Sequence, residues 1–329
     1  MRDETKKKPA MEVRDLYFSY GKNRVLKGVS LKIQEEKITT IMGANGCGKS
    51  TLFYLMTRNL MPRKGNIFLQ GRNILNLGLR EFAKKVSIVH QYNTSSNDIT
   101  VERLVSFGRT PHMKMMQGRT REDQQLIRWA MEVTGVERYR NREVSRLSGG
   151  QRQRVWIAMA LAQNTKILFL DEPTTYLDIR YQIEILELVR RLNREFHITI
   201  IMVLHDINQA IYFSDEIIGL KDGKVTVQGE PGTVIDRESI ERMYGIDLEV
   251  RDIDGRKFVL TVLEREEDLY ETKSAETAVA AAGSSLSGPG HCGSSAAHHP
   301  FRALLSGDSV LLCQKLSKAA LLVSGNKAV

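Results

Sequence analysis

Gly43-Ala44-Asn45-Gly46-Cys47-Gly48-Lys49-Ser50-Thr51 fits the pattern G-x-x-x-x-G-K-[ST] and follows the β-rich stretch Lys37-Ile38-Thr39-Thr40-Ile41-Met42. A strand therefore feeds a glycine turn that opens a helix, the context in which this pattern cradles phosphate. Glycines at 43, 46 and 48 let backbone N–H groups converge on phosphate oxygens, because a Cβ would obstruct that curvature, and the helix N-terminus adds partial positive charge. Ala44, Asn45 and Cys47 complete the loop, Lys49 is placed for the β- and γ-phosphates, Ser50 is placed for Mg²⁺, and Thr51 ends the motif.

A second element, Lys166-Ile167-Leu168-Phe169-Leu170-Asp171-Glu172-Pro173, is an unbroken apolar run closed by two acids. Such a run suits a parallel strand buried on both faces. Its carboxylates then emerge beyond the C-terminal strand end, where ligands sit in such sheets. Asp171 is suited to hold Mg²⁺, and Glu172 to direct a water at a γ-phosphate. Phosphoryl transfer needs mainly positioning and charge neutralisation, so one metal, one lysine and one base form a sufficient set. The third element is Leu147-Ser148-Gly149-Gly150-Gln151, ahead of a helix whose Val155, Ala158, Leu161 and Ala162 share one face. Ser148, Gly149, Gly150 and Gln151 thus form a second anion cradle at a helix N-terminus. Two cradles and one base imply a composite site closed in trans by a second copy.

Over residues 11 to 263 the chain resembles the ATP-binding cassette (ABC) ATPases. The resemblance implies an α/β fold: a P-loop (RecA-like) nucleotide-binding core with an antiparallel β subdomain and an inserted α-helical subdomain. It further implies ATP and Mg²⁺ as ligands. Gln91, after Val86-Ser87-Ile88-Val89-His90, resembles the glutamine that senses Mg²⁺ and the attacking water. His205, after Ile198 to Leu204, resembles the histidine that contacts the γ-phosphate, and Leu177-Asp178 the loop that crosses to the other subunit. Tyr20 resembles the aromatic that stacks on adenine, with Tyr17 and Phe18 competing for that role.

Composition agrees with this reading. The chain has 329 residues, enough for a sizeable core, a formal charge of +9 and three cysteines without a disulfide or zinc pattern. Neither a signal segment nor 18 consecutive apolar residues is present, so the expectation is a peripheral protein at the cytoplasmic face of the plasma membrane. With no helix-turn-helix, no RNA-binding signature and no basic run longer than Lys6 to Lys8, the charge points to a bilayer-facing surface and away from nucleic acid. Cys47, beside Lys49 and a helix N-terminus, is expected to be the most thiolate-prone cysteine.

Residues 1–10 read as a polar arm. Residues 11–34 and 65–70 read as an antiparallel edge sheet with turns at Gly21-Lys22 and near Gly65, and residues 92–150 as the helical insert. In the insert Asp98 and Thr100 are candidate caps, and Thr120 with Asp123 forms a capping box. Asp222-Gly223 and Asp254-Gly255 read as hairpin turns, and Asp236 caps a helix ended by Gly245. From 264 to 329 the chain reads as a low-complexity, flexible tail, with Leu304 to Val323 compatible with a short amphipathic helix.

Leu104-Val105-Ser106-Phe107-Gly108-Arg109-Thr110-Pro111-His112, Glu172 to Ile179 with its aromatic Tyr176, and Val203 to Ala210 look like the ferric-siderophore, haem and cobalamin importers of bacteria. That branch implies a homodimer under membrane permeases, with a periplasmic or lipoprotein binding protein choosing the cargo. The siderophore branch is the expectation, with haem, cobalamin or other transport as alternatives. A soluble ABC ATPase of translation or repair would bring a second cassette or a long coiled-coil insert, and the chain has neither. A regulatory module without turnover conflicts with the intact Glu172 and His205.

Overall fold

The computed structural model describes residues 9–93, 98–113 and 118–261. The expectations for the N-terminal arm up to residue 8, for the boundary near 264 and for the tail lie outside them. Twelve strands and nine α-helices are formed among the described residues. A four-stranded antiparallel sheet has the order β2-β1-β4-β5, from β1 (Met11–Tyr20), β2 (Asn23–Ile33), β4 (Lys64–Leu69) and β5 (Arg72–Asn73). It is the expected edge sheet, with its turn at Gly21 and Lys22.

The second sheet has the order β10-β9-β3-β8-β7-β6, from β3 (Ile38–Gly43), β6 (Val86–Val89), β7 (Ile167–Asp171), β8 (Thr199–Val203), β9 (Glu216–Lys221) and β10 (Lys224–Gly229). All its pairings are parallel except β9 with β10, which are joined by the turn at Asp222-Gly223. Every residue of β3, β7 and β8 is buried, as expected for a sheet covered on both faces. Side chains alternate between faces. Leu168, Leu170, Ile200 and Met202 therefore join one apolar cluster with α5 (Gly149–Ala162) and α6 (Ile179–Phe196). Ile167, Phe169, Ile201 and Val203 join the other, with α1 (Lys49–Met56) and the antiparallel sheet. A one-residue slip in β7 would exchange the two sets and unpack both sides.

The insert contains α3 (Val101–Ser106) and α4 (Arg121–Val133), which follow the short α2 (Leu79–Ala83) and β6. Thr100, rather than Asp98, caps α3 by accepting from the Arg103 amide. Thr120 and Asp123 form the expected capping box. The insert grips α5 through Gly108 and Arg109. A Cβ on Gly108 would lie 2.1 Å from the Met159 carbonyl oxygen, so only glycine allows that approach. Arg109, 4% exposed, donates from Nε to Asp123 Oδ1 at 2.8 Å and from Nη1 to the Ala162 carbonyl, at the end of α5, at 2.9 Å. On the C-terminal side lie α7 (Ile207–Phe213), α8 (Pro231–Val234), α9 (Arg237–Tyr244) and the hairpin β11 (Val250–Ile253) with β12 (Arg256–Val259). Asp236 caps α9 and Gly245 closes it at φ 73°, both as expected.

Burial alone would push the Asp123 carboxyl up, but the Arg109 guanidinium and the Thr120 amide and hydroxyl outweigh it and hold the group down at about 2. Because the folded-state value is depressed below the usual 3.8, the pair stabilises the fold above pH ~4, and that contribution fades as pH falls toward ~2. Asp123→Asn leaves the Arg109 charge buried without its counterion. It is expected to cost about 3–5 kcal/mol at pH 7. Urea titrations of both proteins should show the gap narrowing below pH ~4; a gap independent of pH down to ~2 would place the cost in packing and not in the ion pair.

Candidate functional site

The phosphate loop begins where β3 ends, and its three glycines do different work. Gly43 has φ 140°, and a Cβ there would stand 2.1 Å from the carbonyl oxygen of Leu220 on the neighbouring β9. At Gly48, with φ 110°, it would meet Leu26 Cδ2 at 2.8 Å. Those two are demanded by chain packing. Gly46, with φ 80°, has nothing within 4 Å of a built Cβ, so at this position the loop opens onto space a ligand can enter. All three have the positive φ that the expected curvature of the loop requires, and at Gly43 and Gly48 close packing is a second reason for glycine.

Lys49 is buried, and its ammonium donates to the carbonyls of Gly43 at 2.8 Å and Ala44 at 3.1 Å, which hold the charge inside the loop's curve. Helix α1 starts with Ser50 and Thr51 in its first turn and no acidic residue there, leaving the positive end of its dipole uncompensated by side chains. Cys47 departs from expectation. It is 6% exposed, and burial pushes its thiol above the ordinary range even though Lys49 pulls it down. The cysteine packs under the loop, so the sequence argument from neighbouring positive charge omitted the larger cost of burying a thiolate.

Asp171 and Glu172 leave the end of β7. Asp171 is 2% exposed; burial, followed by the negative charge of Glu172, pushes its carboxyl up to about 6, against the opposing pull of a hydrogen bond from Tyr54 and of His205. Glu172 sits at φ 48°, a left-handed backbone that bulky L-residues rarely adopt. Its carboxylate is held from two sides. His205 Nε2 lies 2.6 Å from Oε1, while Gln91 Nε2 and Thr175 Oγ1 both donate to Oε2, the latter at 3.1 Å. Gln91, Glu172 and His205, which lie far apart in sequence, thus converge at the C-terminal strand ends beside the phosphate loop.

Ser148 and Gln151 form a capping box at the start of α5: the Ser148 amide donates to Gln151 Oε1 at 3.1 Å, and the Gln151 amide to Ser148 Oγ at 3.4 Å. Gln151 also donates to the Tyr139 hydroxyl at 3.0 Å, and Gly150 leaves room for the Tyr181 ring, which a Cβ would meet at 2.5 Å. Gly149 is exposed. Asp178 caps α6, accepting from the Tyr181 amide at 3.1 Å. Among the three aromatic candidates at the end of β1, Phe18 is buried in the core, Tyr17 lies under the Lys64 ammonium, and Tyr20 is 50% exposed, edge-on to Phe18.

Three residues escaped the sequence reading. Tyr54 lies within α1 and reads as core, yet hydrogen-bonds Asp171. Thr175 holds Glu172. Tyr244 reaches back from α9 to hydrogen-bond the backbone of Gly43, and burial pushes its hydroxyl up to about 12. None carries a local signal, because each acts through a contact distant in sequence or through a turn. Among the described residues no helix is long and apolar enough to cross a membrane, and no three His, Cys, Asp or Glu side chains gather as a metal site.

Comparison with known proteins agrees with this geometry. The ABC transporter family model matches residues 26–175. The petrobactin import ATP-binding protein FpuC of Bacillus anthracis is 42% identical over 241 residues, spanning 73% of this chain and 88% of the relative. The ferric enterobactin transport ATP-binding protein FepC of Escherichia coli is 43% identical over 231 residues, spanning 70% and 85%. The bacterial ABC transporter cassette MJ0796, solved as a dimer, superposes with a TM-score of 0.59 at 31% identity, over 67% of this chain and 98% of that one. With a phosphate loop, two acids at a strand end, a converging glutamine and histidine, and these likenesses, the chain belongs to the ABC transporter family, as one of its ATP-hydrolysing, ATP-binding subunits.

Proposed function

We propose that residues 11–263 form the ATPase cassette of a bacterial importer of iron-siderophore complexes, acting as a homodimer on the cytoplasmic side beneath membrane permeases. The observation that carries the catalytic part is the Glu172 carboxylate held by Gln91, Thr175 and His205 beside the phosphate loop. The relatives that import petrobactin and ferric enterobactin support the cargo class, and the dimeric cassette supports the assembly. No residue of the site would touch the siderophore; a binding protein and the permeases would select it.

In this reading Tyr20 offers its exposed ring to adenine. The Gly43–Thr51 loop and Lys49 receive the phosphates, the ammonium exchanging the Gly43 and Ala44 carbonyls for phosphate oxygens. Ser50 and Asp171, with Gln91 nearby, are the side chains that would hold Mg²⁺. The fit rests on Asp171 itself: a buried carboxyl pushed up to about 6 is a group that a cation would stabilise in its ionised form. When bound, Mg²⁺ would neutralise phosphate charge during transfer. Glu172 orients and deprotonates the attacking water, and His205, in contact with that carboxylate, is placed to hold the γ-phosphate side of the site. Ser148 to Gln151 and Asp178 would serve the partner copy's nucleotide. A soluble, non-transport ATPase remains the second reading, and co-purification of the chain with its membrane partners separates the two.

Glu172→Gln should bind ATP and accumulate closed dimers while turnover falls by about 10²- to 10⁴-fold. Lys49→Ala should fail earlier, in nucleotide binding, so filter binding and phosphate release together distinguish the steps. Wild-type turnover in the Gln variant would remove Glu172 from the mechanism.

The trans arrangement has its own test. Ser148→Arg subunits mixed with Lys49→Ala subunits yield heterodimers with one intact composite site and one doubly damaged site, whereas either variant alone has none. ATP-driven closure should reappear in the mixture; heterodimers that form without closing would count against a shared site.

A further inference from the structure

Between the loop that carries Leu177 and Asp178 and the helix that follows His205 runs a chain of amide hydrogen bonds. Gln182, in the first turns of α6, donates from Nε2 to the Leu177 carbonyl at 2.9 Å. Its Oε1 accepts from Nε2 of Gln209 on α7 at 2.7 Å. The Gln209 backbone N–H in turn donates to Asp206 Oδ1 at 2.8 Å, and Asp206 is the N-cap of α7, adjacent to His205. The direction of the chain is forced. A backbone carbonyl only accepts, so Gln182 must turn its NH₂ to Leu177, its oxygen to Gln209, and Gln209 must answer with NH₂. This leaves Gln209 Oε1 buried without a hydrogen-bond partner, the kind of loss that a link made only for stability would avoid. At its other end the chain meets Tyr181, the neighbour of Gln182, whose ring fills the space that Gly150 leaves at the start of α5.

We propose that Gln182 and Gln209 are positioning residues, an amide relay that ties the Leu177-Asp178 loop to the first turn of α7 and through it sets His205 against Glu172. The relay touches no nucleotide. It reports the placement of the loop at 177–178 and of the helix start at 149–150, the two segments assigned above to the partner's site, to the histidine of this chain's own site. It rests on the reading of Glu172 and His205 as the hydrolytic pair.

The test uses the full chain with Mg-ATP. Gln209→Glu places a carboxylate against the oxygen of Gln182, and Gln182→Ala removes the link. Either single change is expected to lower kcat about 10- to 100-fold, the scale of a misplaced catalytic group, with KM for ATP within about twofold of wild type. The double variant Gln182→Arg, Gln209→Glu rebuilds the link as a donor–carboxylate pair and is expected to recover kcat to within a few-fold. Thermal melts of all variants run alongside. Wild-type kcat in both single variants, losses that follow Tm, or no recovery in a double variant that folds normally would each overturn the relay. Glu172→Gln in the same assay keeps the two claims apart: if it turns over normally, the hydrolytic reading fails first, whatever the relay does.

Discussion

Two carboxylates on consecutive residues at the end of a buried strand set the terms for everything around them. Buried Asp171 and half-buried Glu172 repel each other, and the fold answers each differently. The left-handed backbone at Glu172 costs on the order of 1–3 kcal/mol and turns its side chain onto Gln91, Thr175 and His205. Asp171 keeps a hydrogen bond from Tyr54 and a carboxyl pushed up to about 6, so a nearby cation would favour its ionised form. The pair is thus divided into one acid held by three side chains and one buried beside a single tyrosine donor.

That division depends on the layers beneath. The alternation along β7 sends Leu168 and Leu170 to the α5 and α6 side and Ile167 and Phe169 to the α1 side. Strand order then delivers β3, β7 and β8 side by side, so the phosphate loop, the two acids and His205 all emerge from neighbouring strand ends. The insert is fastened separately, by the buried Arg109 that joins the α4 cap to the Ala162 carbonyl at the end of α5. The core strands hold the two acids and His205, while α5 packs on that core and is also gripped by the insert.

Much of this was legible from sequence because it is written in local chemistry. Glycine spacing, caps at Thr100, Thr120 and Asp236, and unbroken apolar runs each depend on residues within a few positions of one another. What was not legible depends on distant contacts. Tyr54 looks like any core aromatic of an amphipathic helix, and only the packing of α1 against β7 gives its hydroxyl a partner. Gln182 and Gln209 are unremarkable polar residues until α6 and α7 are brought together. Cys47 shows the opposite failure: the charge of Lys49 was visible in the sequence, whereas the burial that outweighs it was not. The separate tasks of Gly43, Gly46 and Gly48 likewise emerge only from what stands opposite each one.

The turn at Asp222-Gly223 bears on the order in which the nucleotide site is built during synthesis. Gly223 donates to the Cys47 carbonyl at 3.1 Å and accepts from the Lys27 amide at 2.9 Å, and a Cβ on it would strike the Val25 carbonyl oxygen at 2.0 Å. Tyr244 adds a hydrogen bond to Gly43 from later still. The loop that reads as the start of the enzyme is therefore among its last parts to be completed, since its backbone partners leave the ribosome after every motif that names the family. A chain ending at His205 would hold all the recognisable chemistry and lack the Gly223 and Tyr244 hydrogen bonds that back its phosphate loop.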